Sequence, residues 1–158
     1  MITSIHYNFN TFTLSFLNSD EERINYSPEE GYQGVFSFKV INNKEIICIL
    51  RTNKKQPDEL RRRNVVKIDE NGKEVWRVSD RTIWTGDPSK TRFGRFSIKD
   101  GKESIKIWSE STRRSPFGGF EYDKKTGRLA IGGGDDVFYL DPDTGQLEYW
   151  YLEWPTPE

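Results

Sequence analysis

The single histidine, His6, and the single cysteine, Cys48, bound most of the catalytic chemistry open to this chain. A Ser–His–acid or Cys–His arrangement would have to use His6, and no nucleophile elbow accompanies it. His6, beside Tyr7, is expected to be a partly exposed strand residue. Cys48 lies in Glu45-Ile-Ile-Cys-Ile-Leu50, where apolar neighbours raise a thiol's pKa and make it inert core filler. One Cys excludes an internal disulfide and a Cys-based zinc site, so no nitrogen- or sulfur-ligated metal is expected.

Phosphate and oxygen-ligand chemistry fare no better. Thr85-Gly-Asp-Pro-Ser-Lys-Thr91 ends like a phosphate loop but lacks the second Gly before Lys and a following helix, so it reads as a turn. Gly132-Gly-Gly134 reads as a hairpin connection between Ile131 and Val137. Asp135, Asp136, Asp141 and Asp143 could gather calcium, but the Asp-x-Asp-x-Asp-Gly spacing with a distant Glu is absent. Turn-closing side-chain oxygens account for Asp141, Asp143 and Thr144 without a metal. No spacing singles out a carboxylate pair for glycoside hydrolysis. The expectation is a protein that is not an enzyme and carries no cofactor.

One stretch carries binding chemistry. Arg81, Trp84, Lys90, Arg92, Phe93, Arg95, Phe96, Lys106, Trp108, Arg113 and Arg114 interleave bases with rings. Such grooves bind single-stranded nucleic acid, and Arg, Trp and Tyr are also the favoured anchors of protein interfaces. A third reading puts the rings in the core and leaves the bases solvated.

The elements that must position these residues are strands. Aromatic residues make up 14% of the chain, and they pack well on pleated sheets. Five hairpins follow from period-two alternation broken by turn signals. They run over 36–50, 65–78, 93–108, 120–131 and 137–150, with turns at Asn42-Asn43-Lys44, Asn71-Gly72, Asp100-Gly101, Asp123–Gly127 and Asp141–Gly145. Ile5–Phe9 and Thr11–Phe16 add two strands. Residues 17–33 read as a polar loop. Residues 52–63 read as another, with at most one exposed helical turn at Pro57–Arg63, where acids lead and bases close.

The predicted class is therefore all-β, an antiparallel hairpin meander over residues 1–158 as a single domain. Within it, residues 35–78 and 117–151 form two similar four-stranded units. No run approaches the about 20 apolar residues of a membrane span, and no basic-then-apolar leader opens the chain, so a cytoplasmic protein is expected. Charge is segregated along the sequence. Residues 1–38 carry one base and five acids, residues 39–114 twenty bases and eleven acids, and residues 115–158 three bases and nine acids. Either the segments interleave and neutralise one another, or they leave a dipolar surface that steers a charged partner.

Val137-Phe-Tyr-Leu-Asp-Pro-Asp-Thr-Gly-Gln-Leu-Glu-Tyr-Trp150, introduced by Gly127-Arg-Leu-Ala-Ile-Gly-Gly-Gly134, resembles the repeat of quinoprotein-like (PQQ-type) β-propellers. Asn64–Trp76 matches it less closely, with Asn71 in place of Thr. The resemblance covers about half the chain and implies a scaffold in which the closing Trp packs between blades. The length holds two or three units, fewer than a full propeller of that family. A propeller-like meander closed as a twisted sandwich or half-barrel is expected. The family's quinone and metal residues have no counterparts here. The order of hairpins also looks like that of small bacterial toxin-immunity and orphan proteins.

Together these readings point to a non-catalytic protein-binding module, within that resemblance an immunity protein neutralising a partner toxin. Nucleic-acid binding is the alternative, against which the sequence pI near 6.0 counts. The residues expected to meet the partner are Arg61, Arg62, Arg63, Trp84, Arg92, Arg95, Arg113 and Arg114, unless the acidic C-terminal surface does so instead.

Overall fold

Glu45–Leu50 shows why the chain folds as it does. Its five consecutive apolar residues, Ile46 to Leu50, are all buried, which a strand achieves only when both faces of its sheet are covered. A computed structural model describes residues 1–78, 94–99, 102–107, 116–133, 136–149 and 156–157, and there this strand is the fifth, β5.

It belongs to a four-stranded antiparallel meander of β4 (Val35–Asn42), β5, β6 (Val65–Asp69) and β7 (Glu74–Arg77). A three-stranded sheet of β1 (Thr3–Asn8), β2 (Thr13–Leu17) and β3 (Arg23–Tyr26) precedes it. A second four-stranded meander follows, of β10 (Gly119–Tyr122), β11 (Leu129–Gly133), β12 (Asp136–Leu140) and β13 (Leu147–Tyr149). Between the two meanders in sequence come β8 (Gly94–Lys99) and β9 (Lys102–Ile107), an antiparallel hairpin to which β14 (Thr156–Pro157) adds in parallel. The single helix among the described residues, α1 (Asp58–Arg62), is one turn. The all-β reading holds, as does the meander of four-stranded units. No described helix is long and apolar enough to cross a membrane.

The N-terminal region differs from the expected loop over 17–33. Arg23-Ile-Asn-Tyr26 forms β3, with Ile24 paired to Phe16 and Tyr26 to Leu14. Four residues with two apolar positions are too short a signal to read alone. Their burial comes from the neighbouring sheet.

Alternation sorts the side chains of the middle sheet into two cores. Ile46, Cys48, Leu50, Val66 and Ile68 pack with Leu14, Phe16 and Tyr32, and with the half-buried Tyr7, Ile24, Tyr26 and Phe38. Ile47, Ile49, Val65 and Val78 pack with Phe117, Ile131, Phe138, Leu140 and Leu147. The middle sheet is therefore sandwiched between the N-terminal sheet and the distal one.

Polar contacts fix how the middle and distal sheets meet. Asn64, 1% exposed, donates through Nδ2 to the Leu50 carbonyl (3.0 Å) and the Phe117 carbonyl (2.8 Å), while its Oδ1 accepts from the Phe117 amide (2.9 Å). The Pro142 carbonyl accepts from both Lys67 Nζ (2.8 Å) and Trp76 Nε1 (3.1 Å), and Lys67, 4% exposed, also pairs with Glu45 at 2.9 Å. Gly145, at φ +75°, lies under the Trp76 ring, and a Cβ built there would stand 2.6 Å from Trp76 Cε3. The turn glycine thus serves the local reversal and the seat of a neighbouring sheet's tryptophan at once.

The Asp-led turns share one lock. The Asp69, Asp123 and Asp141 side chains accept the amides of Asn71, Lys125 and Asp143 at 2.9 Å. Asp123 also accepts from the Thr126 hydroxyl (2.7 Å) and the Tyr139 hydroxyl (2.8 Å). The Thr126 bond first, then the Tyr139 bond against an opposing burial cost, hold its carboxyl well down, at about 2.

Candidate interaction surface

The three arginines of the polar segment sit where the chain is tied down. α1 opens at Pro57 with Asp58 and Glu59 in its first turn and Arg61 and Arg62 in its last, as the helix dipole favours. The Tyr32 hydroxyl donates to the Leu60 and Arg63 carbonyls, pinning the turn to the sheets. Arg61, Arg62 and Arg63 are all half-buried. Arg61 reaches Asp58 at 3.4 Å, and Arg63 Nε donates to the Val78 carbonyl at 3.3 Å. These arginines thus combine contacts within the fold with an accessible face. Arg95 falls on β8 opposite Lys106. Trp84, Arg92, Arg113 and Arg114 lie outside the described residues, as do Thr85–Thr91, Gly134 and Asp135.

The catalytic candidates are placed apart. Cys48 is fully buried, and that burial pushes its thiol up, away from reactivity. His6 is exposed on β1 opposite Ser15, and no hydrogen bond joins the two side chains. Among the described residues no three His, Cys, Asp or Glu side chains converge as metal ligands. A shallow cleft of about 300 Å³ is lined by Tyr26, Glu29, Lys73, Glu74 and Arg77. Of its two cations, Arg77 is already engaged, since it holds Glu74 through Nε (3.1 Å) and Nη2 (3.2 Å) and Glu30 through Nη1 (2.6 Å), and lies over the Tyr32 ring. That is a structural ion network.

A different surface emerges from the packing. The stacked sheets each present an edge strand, β1, β4 and β10, and single contacts link one edge to the next. Ile2 donates its amide to the Asn43 carbonyl (2.6 Å), the Tyr7 ring meets Phe38 edge-on, and Lys39 Nζ lies 5.7 Å from the centre of the Tyr122 ring. Along this side Phe36 (50% exposed), Val40 (41%) and Tyr122 (58%) face solvent, with Ile5 at 36%. Exposed apolar groups on neighbouring edge strands are candidates for an interaction site.

The backbone of β4 is poorly suited to adding another strand. Its register shifts between Val35 and Ser37 and again between Val40 and Asn42, and each shift twists the edge away from a flat pairing. The Tyr7 hydroxyl donates to the Val35 carbonyl (2.7 Å) and the Phe36 carbonyl (2.9 Å), occupying acceptors that a docking strand would need. Recognition here falls to side chains. Phe36, Lys39, Val40 and Tyr122 were not singled out by sequence because alternation alone does not say which strand is an edge.

No family model, curated protein or solved structure matches this chain.

Proposed function

We propose that this protein is a non-enzymatic protein-binding module that meets its partner along the side formed by β1, β4 and β10. The carrying observation is the exposure of Phe36 and Val40 on β4 and of Tyr122 on β10, each at least 41% exposed, with Lys39 of β4 over the Tyr122 ring. Aromatic anchors around one charge have the composition of an interface core, which is poor in charge and rich in rings. The blunted edge supports recognition by shape and not by strand addition, so the partner need not be an extended peptide. Within this class, the resemblance of the hairpin order to toxin-immunity proteins supports an inhibitor of a partner toxin, and the segregated charge would speed the encounter.

The test begins with tagged protein in its native cell, followed by reconstitution of the captured protein in pure form. Calorimetry then compares the parent chain with a Phe36→Ser/Val40→Lys/Tyr122→Ser variant of unchanged circular dichroism. Removing three exposed anchors should weaken binding by at least about a hundredfold, since interface anchors of this kind contribute 1–2 kcal/mol or more each. Equal affinity for the variant would exclude this surface. Retention of a single-stranded oligonucleotide at low salt, with no protein captured, would favour the nucleic-acid reading instead.

A further inference from the structure

We propose that the solvent-facing side of the N-terminal sheet is a binding site for a neutral carbohydrate, separate from the β4 side. On this sheet Tyr7, Leu14, Phe16, Ile24 and Tyr26 point into the core. The alternate positions therefore face outward. Register pairs them across all three strands, His6 beside Ser15 and Ser15 beside Asn25, with Asn8 beside Thr13 in the neighbouring row.

His6, Tyr7, Asn8, Phe9, Thr13 and Ser15 line an open depression of about 440 Å³, with Asn25 next to Ser15 on the third strand. That volume is in the range of small-molecule sites. In a chain that is 31% charged, nothing lining the depression carries a carboxylate, ammonium or guanidinium. The outer face's one formal charge, Arg23, is turned to the Ser4 carbonyl at 2.9 Å. A charged ligand would find no counter-ion in the depression, and an apolar one would find it lined with imidazole, amide and hydroxyl groups. A ligand bearing many neutral hydroxyls fits.

The side chains are available for such a ligand. Among the described residues, the His6, Ser15 and Asn25 side chains make no hydrogen bond, and Asn8 uses Oδ1 to hold the Asn10 and Thr11 amides (2.9 and 3.3 Å), which leaves its Nδ2 donor unused. Hydroxyl, amide and imidazole each offer both donors and acceptors, as sugar hydroxyls require. Strand spacing of about 4.8 Å sets the row at roughly the span of alternate hydroxyls on a pyranose ring. At the rim, Phe9 is 72% exposed at the tip of the β1–β2 turn. An aromatic face is electron-rich and attracts the polarised C–H groups on the flat side of a sugar, which gives this ring a use that its exposure otherwise lacks.

The experiment is an amide-resolved NMR titration of the whole chain with four neutral disaccharides at millimolar concentration: cellobiose, maltose, lactose and N,N′-diacetylchitobiose. The expected result is a saturable shift with at least one sugar, centred on His6, Asn8, Thr13, Ser15 and Asn25. Phe9→Ala should weaken that sugar about tenfold, and Ser15→Glu, which places a charge in the middle of the row, should abolish it. Both positions face solvent, so folding should survive, as the unperturbed spectrum of the core would show. No saturable shift with any of the four sugars, shifts centred elsewhere, or unchanged binding by both variants would overturn the proposal. The Phe36/Val40/Tyr122 variant should bind sugar normally, so failure of this site and failure of the protein-binding side can be told apart.

Discussion

Asn64 is the side chain through which the middle and distal sheets are joined most directly, and its removal measures that junction. Asn64→Ala deletes two donated bonds and one accepted bond, and leaves the amide and carbonyl of buried Phe117 without the partner they have now. A net hydrogen bond contributes about 1 kcal/mol, and a stranded buried polar group costs roughly 1–3 kcal/mol, so the loss should reach about 3–4 kcal/mol. At this chain length that corresponds to roughly a 10 °C fall in Tm. Urea unfolding followed by tryptophan fluorescence gives the free energy, and differential scanning calorimetry the midpoint. Asn64→Asp sharpens the test. It keeps the acceptor facing the Phe117 amide but replaces the donor with a carboxylate oxygen aimed at two carbonyls. That environment raises its folded pKa above the unfolded value of about 3.9. A raised acid is least harmful while protonated. The Asp variant should therefore approach the parent's stability below about pH 4 and fall behind as pH rises through the folded pKa. A loss under about 1 kcal/mol for the Ala variant, or an Asp variant whose deficit does not grow with pH, would refute the view that this amide holds the sheets together.

Gly145→Ala should cost about 2–3 kcal/mol by urea unfolding, because it combines a left-handed backbone at φ +75° with a Cβ 2.6 Å from the Trp76 ring; Gly127→Ala, whose nearest neighbour is the Tyr122 hydroxyl at 3.4 Å, should cost nearer 1 kcal/mol. The Lys67–Glu45 pair should respond asymmetrically in the same assay. Lys67→Met leaves Glu45 partly in water and Pro142 still bonded to Trp76, so it should be within about 1 kcal/mol of neutral, whereas Glu45→Ala leaves a buried ammonium with the Pro142 carbonyl but no counter-charge and should cost about 3 kcal/mol. Asp123, held down to about 2 by the Thr126 and Tyr139 hydroxyls, adds stability that is present above its unfolded pKa and is lost as pH falls towards 2. An acid titration of Asp123→Asn should accordingly show a shallower loss of stability between about pH 4 and pH 2 than the parent; parallel curves would remove this carboxylate from the acid response.

Much of this fold was legible in the order of residues because the signals are local. Asp123-Lys-Lys-Thr-Gly127 and Asp141-Pro-Asp-Thr-Gly145 encode their reversals through an acid that captures its own backbone and a glycine that accepts a positive φ. The apolar run Ile46–Leu50 was legible as a strand with a buried cysteine, while the cover on both its faces came from the stacked sheets. The short strand Arg23–Tyr26 was not legible, since its two apolar residues acquire meaning only when Phe16 and Leu14 lie beside them. Nor could the sequence show that Arg63 would reach the Val78 carbonyl, because that depends on where Tyr32 anchors the one-turn helix.

The candidate sites divide along the same line. That Phe36, Val40, Tyr122 and Phe9 are apolar is written in the chain; that they are left in water is a matter of which strands became edges and which turn reached solvent. The sequence alone determined most of the strands and their turns, because those rest on interactions within a few positions. Only the tertiary structure decided which faces meet, and hence which ones are free to bind, because stacking sheets joins Asn64 to Phe117 and Lys67 to Pro142 across more than fifty residues, where no local pattern reaches.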